Sequence, residues 1–150
     1  MKRYTPILEI RMKKTRYLTD QPTAGNVEEV ISVMKPLYDG LTVEHFKVIL
    51  LSSKNNIIGI ITVATGTIDK AAIYPREVMK AAILGNATAI ILTHNHPGGD
   101  PAPSYFDREV TEKIREVAGI FDIKVHDHII FGEKKAYSMT SDRIVDTLTI

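Results

Sequence analysis

Two histidines and an aspartate near the middle of the chain have the side chains and the spacing of a metal site. His94 and His96 stand two residues apart, and ten residues separate His96 from Asp107. At the end of a strand, side chains at this spacing leave the same face and can converge on one ion. Two imidazoles and one carboxylate leave a fourth tetrahedral position for water, as in a catalytic zinc site. These residues therefore predict a Zn²⁺ centre that activates water.

The segment between the histidines and Asp107 has the composition of an ordered turn. Residues 97–103 contain three prolines, which stiffen the chain, and two glycines, which let it turn back. We expect this loop to bring Asp107 to the histidines. Ser104, three residues before Asp107, could hold the oxyanion of a tetrahedral intermediate or orient the water. Ser104 and Asp107 also match a helix capping box, and capping is compatible with catalysis.

Such a site also needs a carboxylate that is not a ligand, to take a proton from water and pass it to the leaving group. Glu44, at the start of a predicted core strand, and Glu77, early in a predicted helix, are both candidates. His126 and His128 share one face of another predicted strand. They are either partners of the site or solvent-facing residues, and we favour the second interpretation.

The elements that must position these residues are strands and helices in alternation. Residues 89–93 form a continuous apolar run, typical of a strand buried on both faces. In open α/β sheets, ligands bind beyond the carboxyl ends of such strands. Strands are also predicted over residues 44–51, 57–63, 123–131 and 136–139, the first two as a hairpin. A helix is predicted from Ser104 to about Ala118.

Two further helices and one strand are predicted before the metal-site strand. Asn26 followed by Glu29 signals a helix start, and Pro36 places its end near Lys35. Its buried stripe is predicted as Val27, Val30, Ile31 and Met34. Pro75 fits the first position of the other helix, which Gly85 ends. Its inward-facing residues are predicted as Val78, Ala81, Ala82 and Leu84. Alternation at Leu8, Ile10 and Met12 predicts a half-buried strand.

The chain has the length of one domain, so we expect a single domain over residues 1–150. Its core is predicted over about 41–139, with the strand and helix of residues 5–38 packed on it. The absence of cysteine excludes disulfides, thiolate zinc sites and the zinc nucleobase deaminases. We find no signal-peptide core and no apolar run that could span a membrane, and we predict a cytoplasmic protein.

The formal charge of +1 gives no general support for nucleic-acid binding. One basic cluster lies in the first sixteen residues: Lys2, Arg3, Arg11, Lys13, Lys14 and Arg16. Lysine and arginine on an edge strand discourage edge-to-edge pairing, and we favour that explanation over a nucleic-acid patch.

The spacing of the central residues resembles the JAMM metallopeptidase signature of MPN domains, H-x-H-x7-S-x2-D. His94, His96, Ser104 and Asp107 match it without a spacing error. Further stretches resemble the RadC branch of that family: 65–67, 74–77, 81–89, 94–101 and 125–130. The similarity runs from about residue 41 to 139.

The resemblance implies an α/β fold of cytidine-deaminase-like architecture, with a mixed sheet flanked by helices. It implies zinc on His94, His96 and Asp107, and a catalytic Glu at the head of the first core strand, where this chain has Glu44. RadC proteins are named for DNA repair, although the site resembles that of metalloproteases and deubiquitinases. This chain departs from the fuller pattern in two ways. Gly98 stands where serine is usual, and we expect no helix-hairpin-helix DNA-binding module of the kind that many RadC proteins carry in front of this domain.

The leading hypothesis is a zinc-dependent hydrolase of the JAMM type that cleaves an amide or isopeptide bond in a peptide or protein. Its catalytic residues would be Glu44 and Ser104. One alternative is a DNA-associated binding module with a structural metal and weak DNA contact through the basic N-terminal segment. Another is a metal-dependent nuclease that uses the same site.

Overall fold

The computed structural model describes residues 11–15, 22–66 and 73–148 as a single α/β domain. Its elements follow in chain order: α1 (Val27–Met34), β1 (His45–Leu51), β2 (Ile57–Thr65), α2 (Pro75–Leu84), β3 (Ala89–Asn95), α3 (Tyr105–Ile120), β4 (Lys124–Phe131), β5 (Lys135–Ser138) and β6 (Arg143–Asp146). The short 3-10 turn Lys35–Leu37 continues α1. The α/β class predicted from the sequence is confirmed.

The strands form one mixed sheet in the order β2-β1-β3-β4-β5-β6. Only the β3–β4 pair is parallel in the described part of the sheet, and all the other pairs are antiparallel. Parallel neighbours need a crossover connection, and α3 provides it. The chain therefore leaves β3 at the histidines, enters α3 at Ser104 and returns to the sheet beside β3.

Each face of the sheet is covered by helices and has its own apolar core. On one face, α2 and α3 pack on the alternate residues Phe46, Val48, Leu50, Ile90 and Leu92. On the other face, α1 packs on Ile49, Leu51, Ala89, Ile91 and Ile129. The central strand β3 is buried along its whole length, as its apolar sequence predicts.

The predicted helices occur at the predicted places, with one error in α2. Asn26 caps α1 by accepting a hydrogen bond from the Glu29 amide at 2.8 Å, and Pro75 opens α2. Leu84 was predicted to face inward but is 37% exposed, whereas Met79 is buried. Leu84 follows Ala82 by two residues, which is about 200° around a helix, so it points away from the sheet.

The hairpin of β1 and β2 is confirmed by their antiparallel pairing. The short strand β6, which pairs with β5, was not predicted. The predicted N-terminal strand lies mostly outside the described residues. Residues 11–15 are described, belong to no strand and leave Met12 47% exposed.

Across the three described ranges, no helix combines the length and the apolar character that crossing a membrane requires.

Candidate metal centre

His94, His96 and Asp107 meet at the end of β3. One nitrogen of each histidine and one carboxylate oxygen all lie within 4.8 Å of one another. The His94 Nε2 atom is 2.9 Å from His96 Nε2 and 3.1 Å from Asp107 Oδ1, and His96 Nε2 is 3.6 Å from Asp107 Oδ2. Two imidazole nitrogens and a carboxylate at this spacing could hold a metal ion.

His94 belongs to the sheet and is held from inside the domain. It is the sixth residue of β3, opposite Phe46 of β1, and is only 1% exposed. Its ring stacks on the Phe46 ring with centroids 5.9 Å apart and planes 16° apart. Its Nδ1 atom lies 2.8 Å from Nε2 of His128, a buried residue of β4. These contacts fix the ring so that Nε2 faces the other two candidate ligands.

His96 follows the last residue of β3 and is held by the loop. Its backbone amide donates to the Phe131 carbonyl at 2.8 Å, and its ring Nδ1 lies 2.8 Å from the Asp100 carbonyl oxygen. A carbonyl can only accept, so Nδ1 carries a proton, and in the neutral ring Nε2 then has a lone pair. The pKa of His96 is lowered by burial but raised by Asp107, the Asp100 carbonyl and Glu44, and the net shift is upward.

The loop of residues 97–103 is fastened to the turn after β4. Gly99, in a left-handed conformation with φ +90°, accepts a hydrogen bond from the Glu133 amide at 3.1 Å. A Cβ atom placed on Gly132 would lie 2.2 Å from the Gly99 carbonyl oxygen and 2.9 Å from Pro101 Cδ. Only glycine allows this approach. The loop thus returns the chain to the histidines, as its composition predicts.

Ser104 and Asp107 form the predicted capping box at the start of α3. The Asp107 amide donates to Ser104 Oγ at 3.1 Å, and the Ser104 amide donates to Asp107 Oδ2 at 2.7 Å. The Ser104 hydroxyl also donates to Oδ2, at 2.6 Å. Burial would raise the pKa of Asp107, but hydrogen bonds from His94, His96 and Ser104 hold it well below its usual range. Asp107 is therefore an anionic ligand candidate over the whole neutral range.

Glu44 immediately precedes β1, and hydrogen bonds with Asn95 and Gly66 hold the backbone around it. The side chain of Asn95 accepts from the His45 amide at 2.8 Å and donates to the Val43 carbonyl at 3.1 Å. Gly66 donates its amide to the Glu44 carbonyl at 2.9 Å. The negative charge of Glu44 acts on His96, whose pKa it raises. The structure thus places Glu44 within electrostatic reach of the candidate ligands.

Glu77, the other candidate base, is engaged elsewhere. Its carboxylate pairs with Lys80 one turn along α2 and lies 3.5 Å from Arg76 Nε. The hydrogen bond from Lys80 lowers the pKa of Glu77. Glu77 therefore belongs to a local ion-pair group on the surface of α2.

The prediction that His126 and His128 share a solvent-facing side of β4 is wrong for His128. His126 is exposed and bonds Asn55 Oδ1 at 3.2 Å, whereas His128 is fully buried beside His94. The cause is a β-bulge: Ile90 pairs with Val125 and Ile91 with Asp127. His126 is the extra residue, and it breaks the alternation on which the prediction depended.

Sequence reasoning missed two residues that contribute to the site and favoured the wrong interpretation of a third. Neither Asn95 nor Thr111 was considered, and for His128 the solvent-facing interpretation was favoured over a partner of the site. Thr111 lies one helical turn after Asp107 on α3, and its hydroxyl contacts His128 Nδ1 at 2.6 Å. The spacing from Asp107 to Thr111 is a signal that could have placed the threonine on the same helix face.

The chain matches the family of RadC-like JAB domains over residues 24–144. It is 46% identical over 112 residues to a UPF0758 protein of Caldanaerobacter subterraneus subsp. tengcongensis, which covers 75% of this chain and 48% of that relative. A UPF0758 protein of Staphylococcus haemolyticus is 43% identical over 118 residues, or 79% of this chain and 52% of the relative. One of Methanococcoides burtonii is 38% identical over 132 residues, or 87% and 58%. The chain spans about half the length of the curated relatives it matches.

The matched range contains β1 to β5 and all three candidate ligands. The names of these relatives state neither a substrate nor a reaction. Sequence similarity over most of the chain and the two-histidine, one-aspartate geometry agree with each other, and the chain belongs to the RadC-like JAB domain family.

Proposed function

We propose that this domain is a zinc-dependent hydrolase of the JAMM metallopeptidase type that cleaves an amide or isopeptide bond. The observation that carries the proposal is the convergence of His94, His96 and Asp107 at the end of the buried strand β3. His96 donates its Nδ1–H to a carbonyl and Asp107 is anionic, so the neutral His96 ring and Asp107 can both give lone pairs to one ion. The donor set fits a catalytic zinc, in which three protein ligands leave the fourth tetrahedral position to water.

Zinc, when bound, supplies a Lewis acid that lowers the pKa of water to roughly 7 and polarises a substrate carbonyl. Glu44 is the proposed general base and acid: it takes the proton of the attacking water and returns it to the leaving nitrogen. Its support is the backbone grip from Asn95 and Gly66 and its electrostatic effect on His96. A positioned carboxylate contributes about 10²–10⁴-fold to such a reaction.

Ser104 is proposed to stabilise the oxyanion that forms when water attacks the carbonyl carbon. Its hydroxyl proton points at Asp107 Oδ2, and the Ser104 amide bonds the same oxygen. If the hydroxyl turns toward substrate, the amide still holds Asp107. The capping role and the catalytic role can therefore coexist in one residue.

The metal half of the proposal is tested by zinc content. Elemental analysis of the purified wild-type protein should give one zinc per chain, and His94→Ala/His96→Ala should give none. A double variant that keeps full zinc content would show that His94 and His96 are not the zinc ligands. His126→Ala is the matched control, because His126 is exposed and bonds Asn55 away from the centre.

The catalytic half is tested with Glu44→Gln on a panel of peptides and isopeptide-linked lysine peptides, with and without chelator. Glu44→Gln should keep zinc and lose at least about 10²-fold in rate. Glu77→Gln is the control, since its carboxylate pairs with Lys80, and should keep wild-type rates. Hydrolysis that survives Glu44→Gln places the base elsewhere.

The same assays decide the competing functions. Chelator-sensitive cleavage of labelled DNA, without peptide cleavage, identifies a nuclease. Salt-sensitive DNA binding that weakens when Lys13, Lys14 and Arg16 are neutralised, with no hydrolysis, identifies a binding module. Lys13 and Lys14 are exposed in the structure, and Arg16 lies outside the described residues.

A further inference from the structure

A chain of buried side-chain hydrogen bonds starts behind His94 and ends on the backbone of α3. His94 Nδ1 lies 2.8 Å from His128 Nε2, and His128 Nδ1 lies 2.6 Å from Thr111 Oγ1. Thr111 Oγ1 in turn lies 2.5 Å from the carbonyl oxygen of Asp107. All four residues are at most 4% exposed. The chain therefore links two candidate ligands through two residues that are not ligands.

The direction of each hydrogen bond follows from counting protons. The Asp107 carbonyl can only accept, so Thr111 donates its single hydroxyl proton to it. Thr111 has no second proton, so in the bond with His128 its oxygen must accept. His128 therefore carries its proton on Nδ1.

The rest of the chain follows from the contact between the two rings. His94 Nδ1 and His128 Nε2 lie 2.8 Å apart, so only one of these nitrogens carries a proton toward the other. A His94 that binds zinc through Nε2 has its proton on Nδ1, and His128 Nε2 must then accept it. A neutral imidazole with a proton on Nδ1 has a lone pair on Nε2. That lone pair accepts from His94 Nδ1–H, so that His94 Nε2, 2.9 Å from His96 Nε2 and 3.1 Å from Asp107 Oδ1, can give its own lone pair to a metal ion.

We propose that His128 and Thr111 are positioning residues that set the tautomer of His94 and so hold its Nε2 lone pair toward the metal. This inference rests on the proposed zinc centre and names the groups that prepare one of its ligands. In metal sites, the acceptor behind a ligating histidine fixes both ring orientation and tautomer. Here that acceptor is another histidine, which acts as an acceptor only because Thr111 holds its proton on the far side.

Two threonine substitutions test the proposal. Thr111→Val keeps the shape but removes the oxygen that accepts from His128, so zinc affinity should fall about 10–100-fold. Thr111→Ser keeps the hydroxyl and should stay within about threefold of wild type. Zinc affinity is measured by competition with a chelator at fixed pH. Thr93→Val is the matched control: Thr93 is fully buried and bonds Tyr38, yet it lies on the opposite face of the sheet.

Substitutions at His128 test whether its role is to accept a hydrogen bond from His94 or only to fill space. His128→Gln offers an amide oxygen near the position of Nε2 and should recover zinc affinity relative to His128→Leu, which offers none. Equal losses in the two variants overturn the role of His128 as an acceptor. Backbone amide spectra and thermal unfolding of each variant show that the fold is kept.

A spectroscopic measurement reads the tautomer without relying on activity. Nitrogen-15 spectra of the imidazole rings, at fixed pH, should show a protonated His94 Nδ1 in both the metal-free and the zinc-loaded wild type. Thr111→Val should lose that signal, while Thr93→Val should keep it. Wild-type zinc affinity in Thr111→Val, or an unprotonated His94 Nδ1 in wild type, overturns the inference.

Failure of this inference is distinguishable from failure of the proposed function. A wild type that takes up no zinc overturns the zinc centre, and with it any effect of Thr111 on zinc. Zinc binding that depends on His94 but ignores Thr111 and His128 leaves the centre intact and overturns the positioning role alone.

Discussion

His94 and His96 offer the same atom to the same point, but two different parts of the molecule hold them. His94 is buried within β3, stacked on Phe46 and backed by the side chains of His128 and Thr111. His96 stands beyond the strand, with 19% of its side chain exposed, and is backed by the Asp100 carbonyl of a loop. A backbone carbonyl oxygen always accepts, whereas the Nε2 atom of His128 accepts only when the proton of that ring is on Nδ1.

The two histidines differ in which part of the sequence determines the orientation of their rings. The geometry of His94 depends on side-chain identities in two other elements, β4 and α3. The geometry of His96 depends on the path of the backbone through residues 97–103 and on the glycine against which that loop packs. Substitutions in the core should therefore act mainly through His94, and substitutions in the loop mainly through His96.

The largest difference between the two histidines is expected in the loss of stability when each imidazole is removed. Both His94→Ala and His96→Ala should lose zinc, but in metal-free protein His94→Ala should cost about 2–4 kcal/mol of unfolding free energy, because it leaves a cavity and an unpaired buried nitrogen on His128. His96→Ala should cost about 1 kcal/mol, since its ring is partly exposed. Urea denaturation in the presence of chelator measures both. Equal costs would contradict the distinction between a core-held and a loop-held ligand.

Disturbing the loop from outside should act on the His96 side. Gly132→Ala should cost about 1–3 kcal/mol and weaken zinc binding, because the new methyl group would collide with Gly99 and Pro101. Gly119→Ala is the control: it lies in α3 with open space around it, and the same change should raise stability by about 0.5–1 kcal/mol. Thermal unfolding and zinc titration report the two effects. A Gly132→Ala protein with wild-type zinc affinity would show that the loop does not control His96.

The pH dependence of zinc affinity tests the His96 side of this comparison, because a proton competes with zinc for the ring. Its pKa is raised, so in metal-free protein the protonated ring contributes stability below about pH 6.5, and that contribution disappears as pH rises through the raised value. Zinc must displace this proton, so zinc affinity should rise about tenfold per pH unit until the ring is neutral, and then level off. Chelator competition from pH 5 to 9 measures the curve. A flat profile below pH 7 would contradict it.

The contribution of Asp107 to stability changes with pH in the opposite direction. Its pKa is depressed, so its contribution to stability is present above about pH 3.9 and is lost as pH falls below that toward the folded-state value. Metal-free protein should therefore be most stable between about pH 4 and 6.5 as far as these two groups decide it. A melting series in chelator tests the window.

The smallest effect is expected at Ser104, which bonds Asp107, the residue that contacts both histidines. Ser104→Ala removes the helix cap and one hydrogen bond to Asp107, and should cost about 1 kcal/mol. Ser104→Thr keeps an oxygen at the cap and should recover most of that loss. Because Asp107 contacts both rings, zinc binding should weaken only modestly, which titration calorimetry can measure. A loss as large as that of His94→Ala would mean that Ser104 does more than hold Asp107.

The sequence allowed the convergence of His94, His96 and Asp107 to be predicted because local rules apply there. Strand alternation puts His94 and His96 on one face, and the prolines and glycines of the loop return the chain so that the Ser104 capping box lies beside them. The pairing of β1 with β2 and the buried course of β3 also follow from local pattern. These features need no knowledge of which strands are neighbours.

The supports could not be predicted because they depend on neighbours distant in sequence. His128 reaches His94 only because β4 pairs with β3 and a bulge at His126 shifts the alternation by one residue. Asn95 grips the residues around Glu44 only because β1 lies next to β3. Sheet order and strand irregularities are properties of the whole fold, so a linear pattern does not reveal them.

The grip of Asn95 on both sides of Glu44 also has a consequence for motion. Since β1 and β3 are paired from Phe46 to Leu51 and are joined again by this side chain, the backbone at Glu44 and at His94 should move together. No hinge lies between them along β1 and β3. The His45 amide, which donates to Asn95, should therefore exchange with solvent only when the strands separate, at the same slow rate as the paired amides of β3. Such motion should change the approach of a substrate to the site more than it changes the separation of Glu44 from His94.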